Sequence, residues 1–247
     1  MSTNSNARIA IVTGAARGIG AALAQRLATD GLAVVVNYAS SSKEADALVA
    51  GLSASGAKAI AVKADVSKPD DVRRLFDTVE QRLGRVDVLV NNAGVMTTTQ
   101  IAETSDAQYD QMFDINVRGT FNTLREAAAR MNDGGRIVNF STTALALNMP
   151  GYAIYNATKA SVETFTHVFA KELRGRNITV NAVAPGPIAT PLFLDGKTDE
   201  QIRTFTNMPP LQRLGEPEDI ASVVSFLVGP DAGWVNGQVL RANGGLA

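Results

Sequence analysis

The feature that most constrains this chain is an alternation. Short β-type apolar runs are separated by longer stretches with helical periodicity, from residue 9 to residue 241. The runs at 9–12 (IAIV), 33–37 (AVVVN), 58–62 (KAIAV), 86–90 (VDVLV), 136–140 (RIVNF), 178–183 and 238–241 predict seven strands. Helices are expected at 21–29, where Leu23 and Leu27 stand at i, i+4 and Gly31 fits a stop, and at 42–52. A third follows Ser67, read as its cap, with Val72, Leu75, Phe76, Val79 and Leu83 as its apolar stripe. Others are expected at about 106–131, 152–174 and 217–228. Strands alternating with helices imply βαβ units and a parallel sheet covered on both faces. No Pro/Gly-rich linker or internal repeat divides the chain, so residues 1–247 are expected to form a single doubly wound α/β domain. The segment 190–214 breaks the rhythm with three prolines and little regular pattern; it is expected to be a mobile lid.

Composition removes several chemistries. There is no cysteine, which excludes disulfides, thiolate nucleophiles, iron–sulfur clusters and Cys-ligated zinc. The single histidine, His167, sits in an apolar helical stretch (FTHVFAKEL) and is read as structural, so no metal site is expected. A net charge of -1 argues against nucleic acid or an anionic membrane as the main partner. The opening MSTNSNAR lacks a hydrophobic signal region, and no apolar run approaches the roughly 18–20 residues of a membrane span. A cytoplasmic location is expected.

The first strand runs into residues 13–20, TGAARGIG. Glycines 14, 18 and 20 between a strand and a helix let backbone N–H groups and a helix N-terminus approach a pyrophosphate. The spacing is G-x3-G-x-G, not the commoner G-x-G-x-x-G. With Asn91-Asn92-Ala93-Gly94 after the fourth strand, Tyr155 and Lys159 four apart, and Pro185-Gly186 after the sixth strand, this loop resembles the short-chain dehydrogenase/reductase family. The resemblance covers essentially the whole chain, with the motifs in family order. It implies a Rossmann domain with a seven-stranded parallel sheet.

The cofactor follows from the residues after the second strand. A carboxylate there would hold the ribose 2′-OH of NAD and repel the 2′-phosphate of NADP. Here the positions are Asn37, Tyr38, Ala39 and Ser40, with no acid. Arg17 supplies a cation within reach, and Ser40 and Ser41 add hydroxyls, so NADP(H) is expected. The resemblance further implies that Gly14, Gly18, Ile19, Gly20, Asp65, Val66, Asn92, Ala93, Gly94, Pro185, Gly186, Ile188 and Thr190 contact the dinucleotide. Asp65 is equally readable as a turn or cap residue.

On a helix, Tyr155 and Lys159 share a face one turn apart. A nearby Lys cation lowers a phenol's pKa, fitting Tyr155 to exchange a proton with a carbonyl or alcohol oxygen while hydride moves to or from the cofactor. By resemblance Lys159 also holds the nicotinamide ribose, and Asn116 holds a water that links Lys159 to a proton relay. The family's usual Ser, thirteen positions before the Tyr, is Thr142 in this chain. Thr keeps the hydroxyl donor, whereas Ser141 would need a one-residue shift and a reversed side chain. Thr142 is therefore assigned the role. Leu145, Met149, Tyr152, Leu192 and Phe193 predict an apolar wall and hence a small ketone or secondary alcohol with an apolar portion.

Two alternatives stand beside a carbonyl reductase. A 3-oxoacyl-acyl-carrier-protein reductase would need basic residues near the cleft mouth; Arg130 and Arg176 are basic, but Asp133 weakens the patch. A non-catalytic NADP-binding module would have no use for Tyr155, Lys159 and Asn116. The family resemblance also implies a homotetramer.

Overall fold

The computed structural model describes residues 7–247; the polar stretch at 1–6 lies outside them. The elements follow in chain order: β1 (Ile9–Val12), α1 (Gly18–Thr29), β2 (Ala33–Tyr38), α2 (Ser42–Ala54), β3 (Ala59–Lys63), α3 (Pro69–Arg82) and β4 (Val86–Asn91). Then come α4 (Asp106–Met112), a π-helical stretch (Phe113–Arg118), α5 (Gly119–Arg130), β5 (Met131–Phe140), α6 (Ala144–Leu147), α7 (Ala153–Glu172) and β6 (Thr179–Pro185). The last are α8 (Pro191–Leu194), α9 (Asp199–Asn207), α10 (Pro217–Val228) and β7 (Val239–Ala242).

The seven strands form one sheet in the order β3-β2-β1-β4-β5-β6-β7. Every adjacent pair is parallel. Period-two side-chain direction sorts the strand residues onto two faces. Ala10, Val12, Val34, Val36, Val88 and Val90 meet Leu23 and Leu27 of α1 and Ile220, Val224 and Leu227 of α10. Ile9, Ile11, Val35, Leu89 and Ile137 meet Leu75, Phe76 and Val79 of α3 and Leu124 of α5. Each large side chain fully withdrawn from water in these layers contributes about 2 kcal/mol of transfer free energy. Two buried faces explain why the strands read as continuous apolar runs.

β1 lies between β2 and β4, so the connections from β1 and from β4 leave in opposite directions. The crevice beyond their C-terminal ends is the switch point at which ligands bind in open α/β sheets.

Four expectations change. The helix expected over 106–131 is interrupted by the π turn, and the strand after it begins at Met131 rather than 136. The segment 190–214 contains α8 and α9 instead of irregular chain. Its helix signal was present as Thr198-Asp-Glu-Gln201, which forms a reciprocal capping box. Ser67 does not cap α3: its hydroxyl donates to the Asp65 carboxylate at 2.7 Å, and α3 instead begins with Pro69 in its first turn.

Candidate active site

The nucleotide end of the crevice is made by two loops locked together. The Thr13 hydroxyl accepts from the Asn92 and Ala93 N–H groups, each at 3.0 Å. The Asn92 amide donates to the Thr13 and Gly14 carbonyls at 2.9 and 3.1 Å. The approach leaves no room for side chains: Gly14 has φ 61°, and a Cβ there would stand 2.9 Å from Ala93 Cα. A Cβ on Gly20 would collide with the Gly14 carbonyl and lie 2.7 Å from Asn92 Nδ2. α1 starts at Gly18 with no side-chain cap, so its first N–H groups stay free to face a ligand.

The groove beside this loop is lined by Arg17, Ile19, Tyr38, Ala39, Ser40, Asp65 and Val66, with Ala93 and Gly94. Asn37 also borders it, but its amide is engaged by protein: Oδ1 accepts from Gly14 N at 3.3 Å, and Nδ2 donates to the Val62 and Ala64 carbonyls. Asn37 therefore braces the glycine loop. Asp65 has the turn role, accepting from the Ser67 N–H and hydroxyl. Arg17 is exposed, and among the described residues no carboxylate pairs with it. A backbone cradle, an uncapped helix start and an unpaired cation fit a phosphorylated dinucleotide.

The groove continues into a second, largely apolar chamber that shares Ile19, Asn92, Gly94, Thr190 and Leu192 with it. Thr142, Tyr155, Lys159, Pro185, Gly186 and Ile188 lie here. The chain just beyond the end of β5 carries Thr142, and α7 presents Tyr155 and Lys159. Ser141 points the other way: it is buried and donates to Glu163 Oε1 at 2.6 Å. The successive side chains thus diverge, and Thr142 faces Tyr155.

Lys159 Nζ is buried and donates to the Phe140 carbonyl at 2.8 Å; it lies 5.9 Å from the Tyr155 ring centre. Burial lowers its pKa from 10.5 to about 8. Tyr155 keeps some surface toward the chamber, but desolvation pushes its pKa up to about 12, with the Thr142 hydroxyl acting weakly against that and Tyr152 with it. This corrects the expectation that Lys159 lowers the phenol's pKa in the ligand-free protein: the desolvated ammonium is itself destabilised, and Tyr155 holds its proton at neutral pH.

Asn116 sits in the π turn. Its Oδ1 accepts from Val95 N, and its Nδ2 donates to the Val95 carbonyl, both at 2.9 Å, and to the Thr158 hydroxyl at 3.0 Å. Single π turns recur at functional sites because the extra residue re-aims one side chain. Here it lets Asn116 reach across to Val95 in the loop after β4 and to Thr158 of α7. Gly94 completes the cluster, since a Cβ would stand 3.2 Å from Asn116 Oδ1 and 3.4 Å from Lys159 Nζ.

The apolar wall differs in part from the sequence reading. Met149, Tyr152, Leu192 and Phe193 line it, but Leu145 does not; Leu147 does. In the single turn of α6, Leu147 shares a face with Ala144 at i, i+3, which directs Leu145 elsewhere. Val95, Met96, Pro187, Phe205 and Leu246 also line the chamber and were not read from the sequence. Phe205 is brought in by α9, its ring edge-on to Phe193 at 5.2 Å. Among the described residues no cluster of three or more His, Cys, Asp or Glu is placed to hold a metal, and no helix is long and apolar enough to cross a membrane.

Parallel topology, a glycine cradle at the switch point and a tyrosine–lysine pair one turn apart define a dinucleotide-binding Rossmann protein. A family model described as enoyl-(acyl carrier protein) reductase matches residues 14–247. A short-chain type dehydrogenase/reductase of Picea abies is 44% identical over 248 residues, covering 96% of this chain and 92% of the relative. An NADPH-dependent aldehyde reductase-like protein, chloroplastic, of Arabidopsis thaliana is 41% identical, covering 96% and 93%. A solved short chain dehydrogenase from Burkholderia cenocepacia J2315, in complex with NADP, is 36% identical with a TM-score of 0.92, over 98% of this chain and 99% of that one. The chain belongs to the short-chain dehydrogenase/reductase family of oxidoreductases.

Proposed function

We propose that the protein is an NADP(H)-dependent carbonyl reductase, reducing a ketone that carries an apolar portion and running in reverse on a secondary alcohol. The observation that carries this reading is the placement of Tyr155 and Thr142 together where the nucleotide groove opens into an apolar chamber. NADPH, when bound, supplies the hydride. Arg17, Ser40 and Ser41 hold the 2′-phosphate, and the backbone of 14–20 holds the pyrophosphate. The Thr142 hydroxyl donates to the carbonyl oxygen, and Tyr155 transfers its proton to that oxygen as negative charge develops on it. Lys159 holds the ribose hydroxyls and, as a cation, favours the phenolate left behind. Asn116 fixes the loop after β4 against α7 and so fixes the floor beneath Tyr155 and Lys159. In reverse, Tyr155 accepts the alcohol proton.

Within one catalytic domain, the segment from about 190 to 214 acts as the lid. Phe121 of α5 and Val168 of α7 are exposed apolar side chains that support assembly into a homotetramer, and a cytoplasmic setting completes the reading. The carrier-protein alternative keeps the description of the matching family model in its favour, but the two basic residues considered for it do not add support. Arg130 and Arg176 flank the N-terminal end of β5, the sheet edge away from the chamber. Arg130 is paired with Asp77, Glu80 and Glu126, and Arg176 with Asp133. NADPH consumption over a panel of aryl and alkyl ketones, beside acetoacetyl-carrier protein, tests the reading. Turnover of free ketones is expected. Preference for the carrier substrate overturns the substrate assignment, and tight NADPH binding without any turnover restores the non-catalytic alternative.

A further inference from the structure

The segment after β7, residues 243–247, has no part in the proton and hydride chemistry, yet it reaches the reacting end of the chamber. Leu246 lines the same space as Tyr155 and Tyr152. Asn243 places it there. Its Oδ1 accepts from Gly245 N at 3.0 Å and Leu246 N at 3.2 Å. Its Nδ2 donates to the Ala247 carbonyl at 3.0 Å and to the Thr143 hydroxyl at 3.2 Å. That hydroxyl in turn donates to the Ala184 carbonyl of β6 at 3.1 Å. One amide therefore folds the segment into a turn and ties the turn to the residue next to Thr142. The turn depends on Gly244 and Gly245, with φ of 64° and 87°. Its outer side rests on the chain just after α9: a Cβ on either glycine would come within 3.2 Å of Pro209 or Pro210.

We infer that residues 243–247 form the specificity wall of the chamber: Leu246 touches the apolar part of the ketone, and Asn243 is the positioning residue that holds it there. This rests on the carbonyl-reductase reading. Leu246 is an aliphatic side chain on a braced turn, so it discriminates by size and apolar contact. A substrate large enough to reach it gains that contact; a small one does not. The amide at 243 serves both ends of the turn. Aspartate would keep the two acceptor contacts that fix the Leu246 N–H, but it cannot donate to Thr143 and repels the Ala247 carbonyl.

The test compares Leu246→Ala, Leu246→Phe, Asn243→Ala and Asn243→Asp by the ratio of kcat/KM for 2-acetylnaphthalene to that for 2-butanone, with NADPH. In parallel, calorimetry measures the Kd of 2-acetylnaphthalene on the NADP+-loaded protein. Leu246→Ala is expected to lower the ratio about tenfold, mainly through KM of the naphthyl ketone. Leu246→Phe, which narrows the chamber, lowers it further. Asn243→Ala reproduces the Leu246→Ala ratio, and Asn243→Asp recovers most of the loss. A ratio within about twofold of the parent in both Leu246 variants overturns the wall, since one lost methylene in a contacting pocket already exceeds that. Equal ratios in the parent and Asn243→Ala overturn the positioning role. If the parent turns over neither ketone, the carbonyl-reductase reading fails, and calorimetry decides the wall by itself. Weaker naphthyl-ketone binding in Leu246→Ala then supports it; equal binding, or none in the parent, overturns it.

Discussion

The nucleotide half and the substrate half of the crevice lie side by side but present different surfaces. Around 14–20 and 92–94 the lining is mostly backbone, held by Thr13 and Asn92 and kept close by Gly14 and Gly20, which leave no room for a Cβ. Around 142–155, 192–205 and 246 it is side chain, carried on the short helices α6, α8 and α9, the start of α7 and a braced turn. A backbone surface binds what all dinucleotides share. A side-chain surface is re-cut by single substitutions. The difference separates what the fold needs from what the substrate needs, and each half can be altered independently.

The largest effect is expected where the halves meet. Tyr155→Phe removes the proton proposed to move to the carbonyl oxygen and is expected to lower kcat about 10³-fold while NADPH titration stays near the parent value. Loss of NADPH binding in that variant would mean that the halves are not separable. Next, Thr142→Val is expected to lower kcat about 10²-fold, as for loss of one oxyanion donor, whereas Ser141→Ala leaves most of it. The reverse order in steady-state assays would give the donor role to the Ser141 hydroxyl. Gly14→Ala forces a side chain against Ala93 at positive φ. It is expected to cost about 2 kcal/mol in urea unfolding and to weaken NADPH binding without changing the ketone preference. Arg17→Ala is expected to reduce the NADPH-over-NADH preference about tenfold, the worth of a charge-assisted phosphate contact.

The smallest effect is read from pH. Folded Lys159 has its pKa lowered from 10.5 to about 8 by burial. Between those values the unfolded chain holds a proton that the folded protein has lost, so stability rises with pH there. Relative to Lys159→Met, the parent is expected to gain about 1 kcal/mol between pH 7 and 9, measured by urea midpoints. A flat difference would show that Lys159 is not desolvated.

The same division governs how far the sequence could be read. The strands and the glycine loop were legible because backbone constraints leave local marks: apolar runs, Gly at 14 and 20, turn residues in fixed places. The divergence of the Ser141 and Thr142 side chains was legible because successive residues of an extended chain point oppositely, and Ser141 does turn away to Glu163. The chamber wall was only partly legible. Leu145 and Leu147 differ by the phase of a single helical turn, which no periodicity in four residues can fix. Phe205 and Leu246 reach the chamber from distant segments through long-range packing that leaves no local mark. The pKa of Tyr155 was misread for a related reason: spacing gives the neighbour but not the loss of solvent around both groups.

The π turn at 113–118 carries one residue more than a regular helix needs. Removing a single codon there would restore an unbroken helix from α4 to α5, with better local hydrogen bonding. It would also swing Asn116 by about 100° around the helix axis, away from Val95 and Thr158. The variant most favourable to the helix in isolation is the one that dismantles the site, so selection on stability alone would erase this irregularity.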